Sequence, residues 1–303
     1  MGMGEAFVAM ADDVSAAHYN PAGLAFRPAG AVPPVELMVS HSMHIQDIQM
    51  TQFGVAKRPW GMSLTHLRMG GIERRTSETR QPDGTFGASD MALGLSYGRK
   101  LGSVGVGGSF KYIRQTIAEY SASAYAVDVG ALRRMERLPV TFGAGLANLG
   151  TQVRFVEKGY PLPTVFRVGA AAGMTKKFPH AVSVQLDFPR DGGPAFRIGM
   201  EYLGFGPFAL RAGYRTYSAA QRSAALGKAL GSDGPGLSEF YGMFMGVGFR
   251  TKLGSMDYTL LPYGELGNAH RFSLSFKFGR SRTAFGSGAS SGYASVGGKG
   301  VAK

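Results

Sequence analysis

The residue types that carry chemistry are scattered along this chain, and few spacings join them. Gly143-Ala-Gly145-Leu-Ala-Asn148 is the nearest approach to a dinucleotide-binding fingerprint. Asn148 stands where a third glycine would be needed, and the stretch continues as a strand without opening a helix. No phosphate-loop pattern occurs. His41 and His44 lie three apart, which on a strand puts them on opposite faces and separates them as metal ligands. No Ser/His/Asp motif has a recognisable context. With 0 cysteines, thiolate metal sites, disulfides and a cysteine nucleophile are excluded. The expectation is a protein with no enzymatic activity, cofactor or metal.

The charged residues do follow a rule, and the rule belongs to the elements that carry them. Lys111, Asp128, Arg167, Gln185, Asp187, Arg197, Glu201, Arg211, Arg215, Asp257, Arg271 and Lys277 fall on one parity of alternating segments. In His270–Phe278 the residues Phe272, Leu274, Phe276 and Phe278 take one face; Arg271, Ser273, Ser275 and Lys277 take the other. Met91, Leu93, Leu95 and Tyr97 likewise oppose Ala92, Gly94, Ser96 and Gly98. This period of two is that of a β-strand. A soluble sandwich would bury the apolar face, whereas a membrane barrel turns it to lipid. Segments of about 9–11 residues, the length of a tilted strand crossing a bilayer, favour the barrel. So do aromatics gathered near segment ends and a second face rich in glycine, alanine and serine, suited to a filled lumen.

Strands are predicted at 35–43, 48–57, 60–69, 90–99, 104–115, 124–132, 139–148, 165–175, 181–188, 195–203, 207–216, 240–250, 255–261 and 270–278. The count is fourteen, an even number, and the long connections (70–89, 149–164, 217–239) all share one parity. Short periplasmic turns alternating with long outer loops are what an outer-membrane barrel has, and both termini then lie on the periplasmic side. The fold class read from the sequence is all-β: a transmembrane antiparallel β-barrel of about 14 strands with a short N-terminal helical plug.

That plug is read from GMGEAFVAMADDVSAAHYNPAGLA, Gly2 to Ala25. Glu5–Tyr19 suits a small amphipathic helix, and Asn20-Pro21-Ala22-Gly23 stops it with a tight turn. Phe7, Met10 and Val14 are expected to pack on small lumen residues, with Glu5, Asp12 and Asp13 meeting an arginine-rich wall. Buried charges need partners, so Asp128, Arg167, Asp187, Arg197, Glu201 and Arg211 are read as a lumen charge network. The domains expected are a hatch over 1–34, a barrel over 35–279 and a flexible, Gly/Ser-rich periplasmic tail over 280–303.

The formal net charge is +13. Much of it falls on the short turns and their flanks: Lys57, Arg58, Arg99, Lys100, Arg133, Arg134, Arg137, Lys176, Lys177, Arg250 and Lys252, against Glu136 alone. A basic periplasmic rim would meet anionic headgroups or an acidic partner. Nucleic acid is the weakest reading of the charge and is not expected as a partner, since no basic helix, aromatic ladder or binding module accompanies it. No apolar run approaches the ~18 residues of a transmembrane helix. No basic and then apolar leader precedes Gly2, so export is inferred from the barrel pattern.

Several stretches resemble a known family. The Gly2–Ala25 segment is followed by GTFGASDMALGLSY (Gly84–Tyr97), FKYI (Phe110–Ile113), AVDVGAL (Ala126–Leu132) and LANLG (Leu146–Gly150). Leu162-Pro163, RAGY (Arg211–Tyr214) and DYTLLPYGELGNAHRFSLSFKF (Asp257–Phe278) complete the set. Together they look like the PorV/PorQ family of outer-membrane proteins, within the FadL-like group of fourteen-stranded barrels. The resemblance implies a barrel plugged by Met3–Gly23, with the Asn-Pro-Ala of the group's hatch at Asn20, Pro21 and Ala22. It also implies a platform serving a type IX-like secretion system, with outer-membrane lipids and an exported or surface protein as partners. The alternative is a FadL-like channel for small hydrophobic molecules.

Overall fold

The computed structural model describes residues 2–26, 34–44, 47–76, 78, 81–135, 138–173, 179–217, 242–262 and 268–278. The predicted tail over 280–303, most of the loop over 217–239, and Arg137, Lys176 and Lys177 lie outside the described residues. The wall begins with β1 (Val35–Met43), β2 (Gln49–Lys57), β3 (Trp60–Arg74) and β4 (Gly84–Leu101). It continues through β5 (Val104–Ile117), β6 (Tyr120–Arg134) and β7 (Val140–Gly150). Two short strands, β8 (Val153–Arg154) and β9 (Gly159–Tyr160), pair with each other inside the next loop. The wall resumes with β10 (Val165–Ala172), β11 (His180–Pro189), β12 (Ala195–Phe205) and β13 (Phe208–Arg215). It ends with β14 (Met243–Arg250), β15 (Gly254–Pro262) and β16 (Asn268–Phe278). All but β8 and β9 form one closed antiparallel barrel of fourteen strands, in which β16 returns to β1 with Ser273 opposite Ser40. Closure leaves no unpaired sheet edge.

Register turns the alternation into rows. Phe53, Leu64, Leu93, Tyr112 and Tyr125 stand side by side on the outer face of β2 to β6. Val55, Met62, Leu95, Phe110 and Val127 form the next row towards the short turns. Met62, Leu93, Leu95, Phe110, Tyr125 and Val127 of these rows are exposed, Leu95 and Phe110 each at 55%, and the others half-buried, as a lipid-facing wall requires. Aromatic pairs mark both ends of the band. Trp60–Tyr97 and Phe208–Phe249 sit near the short turns, with ring centroids 4.7 and 5.5 Å apart. Tyr112–Tyr125 and Phe166–Phe188 sit towards the long loops, at 5.6 and 6.2 Å.

Two expectations are corrected. The connection expected over 70–89 is mostly strand: β3 and β4 stay paired to Arg74 opposite Gly84, past a bulge between Met69 and Ile72. Gly70 and Gly71, the latter with φ +69°, break the local alternation there and hide the continuation. The helix expected over Glu5–Tyr19 is confined to Ala16–Tyr19, followed by a 3₁₀ turn at Pro21–Ala25. Glu5 takes a left-handed φ of 59°, and the N–H groups of Phe7 and Val8 donate to Gln185 of the wall, that of Phe7 also to the Glu5 carbonyl.

Candidate functional site

Residues 2–26 lie inside the barrel, and wall glycines let them in. A β-carbon on Gly107 of β5 would stand 2.3 Å from the Pro21 carbonyl carbon. On Gly143 of β7 it would stand 2.3 Å from the Val8 carbonyl oxygen, on Gly199 of β12 2.2 Å from that of Met3, and on Gly213 of β13 2.0 Å from the Gly4 nitrogen. Backbone therefore approaches backbone at widely separated points of the wall, a contact only glycine permits. Ala6, Ala11, Val14, Ala16, Ala22 and Leu24 are almost wholly buried. Met10 is buried and Phe7 packs against the same clusters.

Polar ties complete the docking. Gln185 Oε1 on β11 accepts from the backbone N–H of Phe7 and of Val8, each at 2.9 Å. Asn20 is fully buried. Its Nδ2 donates to the Val8 carbonyl at 2.8 Å and, at 3.3 and 3.4 Å, to the carbonyls of Ala131 and Ala144; its Oδ1 accepts from the Ala22 N–H at 3.1 Å. One side chain thus fastens the turn to β6 and β7 and caps the 3₁₀ turn that Pro21 starts. Ala22 and Gly23 are buried within it.

The lumen charges are all placed inward, but in separate groups. Arg197 bonds Asp187 at 2.6 Å, and Arg167 lies 3.9 Å from the same carboxylate. Arg197 also meets Glu5 at 2.7 Å, with Arg215 and Arg271 at 3.8 and 3.7 Å from that group. Arg211 bridges Glu201, at 2.7 Å, and Asp257, while Arg250 adds a second bond to Glu201 at 2.5 Å. Asp128 stands apart, with Lys111 at 2.7 Å and the Asn148 N–H at 2.8 Å. Such pairs offset the cost of burying each charge.

Of the three plug carboxylates expected at the arginine wall, only Glu5 reaches it. Asp13 turns back and accepts from the Ser15 N–H and hydroxyl at 2.9 and 2.5 Å. At Asp12 it is the backbone carbonyl, not the carboxylate, that accepts from Arg58, at 2.5 Å. Burial, and after it the neighbouring Asp13 carboxylate, pushes the Asp12 carboxyl up to about 7, against the opposing pull of Arg134, Lys277 and Arg58.

The basic rim is corrected in part. Arg99, Lys100 and Arg133 are exposed at the short-turn end. Arg134 instead covers the Phe26 ring at 4.3 Å. Arg58 is buried against Glu36 at 2.5 Å, and Arg250 joins the lumen group at Glu201. Glu36 escaped the reading of the sequence, although it shares the inward parity of Met38, Ser40 and Ser42.

Two apolar clusters line the lumen at the long-loop end. Ala122, Ala124 and Ala126 of β6 bury Val153 and Leu162 of the loop that carries β8 and β9, with Ile113 and Phe155 packed alongside. Across the barrel, Phe244, Leu261 and Ala269 form a second cluster at the loop ends of β14, β15 and β16. Among the described residues no group of three His, Asp or Glu residues is placed to hold a metal. His41 Nδ1 lies 3.0 Å from Thr51 Oγ1 on the barrel exterior.

A closed fourteen-stranded barrel with an apolar, aromatic-banded exterior and a charged lumen is an outer-membrane β-barrel, and the outer membrane is where this protein resides. Solved structures agree. The chain is similar to the toluene transporter TodX of Pseudomonas putida, with a TM-score of 0.55 and 11% identity, covering 88% of this chain and 95% of that one. It is also similar to the monoaromatic hydrocarbon channel CymD, with a TM-score of 0.55 and 8% identity over 89% and 93%. No protein-family model and no curated protein matches the chain. At these identities the likeness is one of fold.

Proposed function

We propose that the protein admits small hydrophobic molecules through the outer membrane, with residues 2–26 as its hatch. The observation that carries this reading is a pair of apolar clusters at the long-loop end of the lumen. Ala122, Ala124 and Ala126 line it on one side and Phe244, Leu261 and Ala269 on the other, while Arg197 and Arg215, at the same end of β12 and β13, hold the N-terminal segment through Glu5. Apolar surface beside a stopper suits a solute that leaves water before meeting the hatch. The fold neighbours, a toluene transporter and a monoaromatic hydrocarbon channel, support the same class of solute.

A second reading is a docking platform for exported or surface proteins, as the PorV/PorQ resemblance implies. It is favoured by the contacts at Gly107, Gly143, Gly199 and Gly213, which leave the segment little room to shift. One experiment separates the two. Intact protein and a form lacking residues 2–24 are reconstituted, and bilayer conductance and toluene flux into vesicles are measured. Toluene flux through the intact protein supports the channel. If only the deleted form passes ions and toluene, the segment is a fixed seal and the platform reading stands.

A further inference from the structure

The outer face of β3, β4 and β5 changes character one row beyond the aromatic row of Tyr112 and Tyr125. Thr51, His66, Met91, Arg114 and Ser123 share the next row towards the long loops, and Gln49, Arg68, Ser89, Thr116 and Ser121 share the one after. His66, Arg68 and Arg114 are exposed on this face. Neighbouring strands lie about 4.8 Å apart, so Arg68 and Arg114, two strands and one row apart, have Cα atoms on the order of 10 Å apart, within joint reach of one small anion.

Neither arginine forms an ion pair among the described residues. The acids nearer the tips of these hairpins are engaged elsewhere: Glu73 with Arg75 at 2.7 Å and Glu119 with Arg74 at 3.3 Å. An open cleft of about 480 Å³ runs beside Arg68, lined also by His66, Thr85, Gly87 and Ser89, where the bulge at Gly70 and Gly71 parts the strands. Across the barrel Phe166, Phe188 and Phe196 are exposed at the same end.

A cationic row just beyond an aromatic girdle, on the face turned away from the lumen, lies at the depth where lipid headgroups begin. Guanidinium groups match phosphate oxygens in geometry and charge. The loop-length rule puts this end outside the cell. We propose that Arg68 and Arg114, with the cleft beside them, bind the phosphate-bearing headgroup of the outer-leaflet glycolipid.

The test uses the full chain, purified in nonionic detergent and titrated with diphosphorylated lipid A under native mass spectrometry. Wild type is expected to bind, and Arg68→Gln with Arg114→Gln to weaken binding about tenfold or more, at roughly 1 kcal/mol per cation. Arg99→Gln with Lys100→Gln, at the opposite end, should bind as wild type does. Heat-modifiable gel mobility reports folding, and Arg114→Gln alone serves if the double variant fails it. Equal binding by wild type and the folded Arg68/Arg114 variant overturns the proposal. So does equal weakening by the Arg99/Lys100 pair, which would reveal a general charge effect. Displacement of the lipid by inorganic phosphate at matching concentration assigns the site to free anions and overturns the lipid.

Discussion

Glu5 Oε2 and Arg197 Nη1 meet at 2.7 Å although 192 residues separate them in the chain. Arg215 and Arg271 approach the same carboxylate from β13 and β16, so one side chain of the N-terminal segment ties together three strands of the far wall. Glu5 does this from a left-handed backbone conformation that a non-glycine residue adopts only when its surroundings hold it there.

Glu5→Ala should therefore loosen the segment. Removing one partner of a buried ionic group costs about 3–5 kcal/mol, and the loss should appear as faster protease cleavage or amide exchange within residues 2–26. Unchanged protection would mean that the glycine contacts alone hold the segment. The pH dependence has a definite sign. Burial pushes the Glu5 pKa up, but Arg197, Arg271 and Arg215 overcome it and hold the group at about 2, below its ordinary 4.5. Its contribution is thus complete above 4.5 and is lost as the pH falls towards 2.

Asp12 should behave in the opposite sense. Its carboxyl is pushed up to about 7 from 3.8, first by burial and then by Asp13. A raised carboxyl favours the docked state when protonated, so that contribution is present below 3.8 and lost as the pH rises through about 7. Asp12→Asn should leave docking unchanged below about pH 3.8 and strengthen it increasingly as the pH rises to about 7. Amide exchange of residues 2–26 at both pH values is the measurement, and identical curves for wild type and variant would refute it.

Gly107→Ala and Gly143→Ala should each displace the backbone they face, at Pro21–Ala22 or at Val8–Ala9. Overpacking of this kind costs about 1–3 kcal/mol. Gly108→Ala is the control, because its β-carbon would meet nothing closer than the Asp128 carbonyl oxygen at 3.7 Å. Raised conductance or protease sensitivity in the first two variants and not in the third is the expected pattern.

Leu274→Arg should destabilise the reconstituted barrel by about 2–4 kcal/mol if Leu274 lies near the bilayer midplane. Leu274 is 38% exposed and sits beside Val39 and Met256 on the outer face. Urea midpoints in lipid vesicles give the value; a change within about 0.5 kcal/mol, as ordinary surface substitutions show, would place the residue away from lipid.

Alternation is a property of a few consecutive residues, so the strands, their even number and the side on which Arg197, Glu201 and Arg211 point could be read without any long-range knowledge. The parity of loop lengths added the barrel by the same local means. Choice among inward-facing partners is different in kind. Asp12, Asp13 and Glu5 are all acids of one short segment, yet which meets arginine depends on its path through the lumen. That path follows the wall glycines and the amide of Gln185, neither of which leaves a trace in the segment's own residues. A helical pattern over Glu5–Tyr19 gave way for the same reason: the segment follows the wall, where Gln185 accepts from Phe7 and Val8 and glycines admit its backbone. Arg58 and Arg250 look like turn residues in the sequence and become lumen residues only when closure brings Glu36 and Glu201 within reach. Periodicity reports which face a side chain takes; the height and company it keeps on that face exist only once the barrel has closed around the segment.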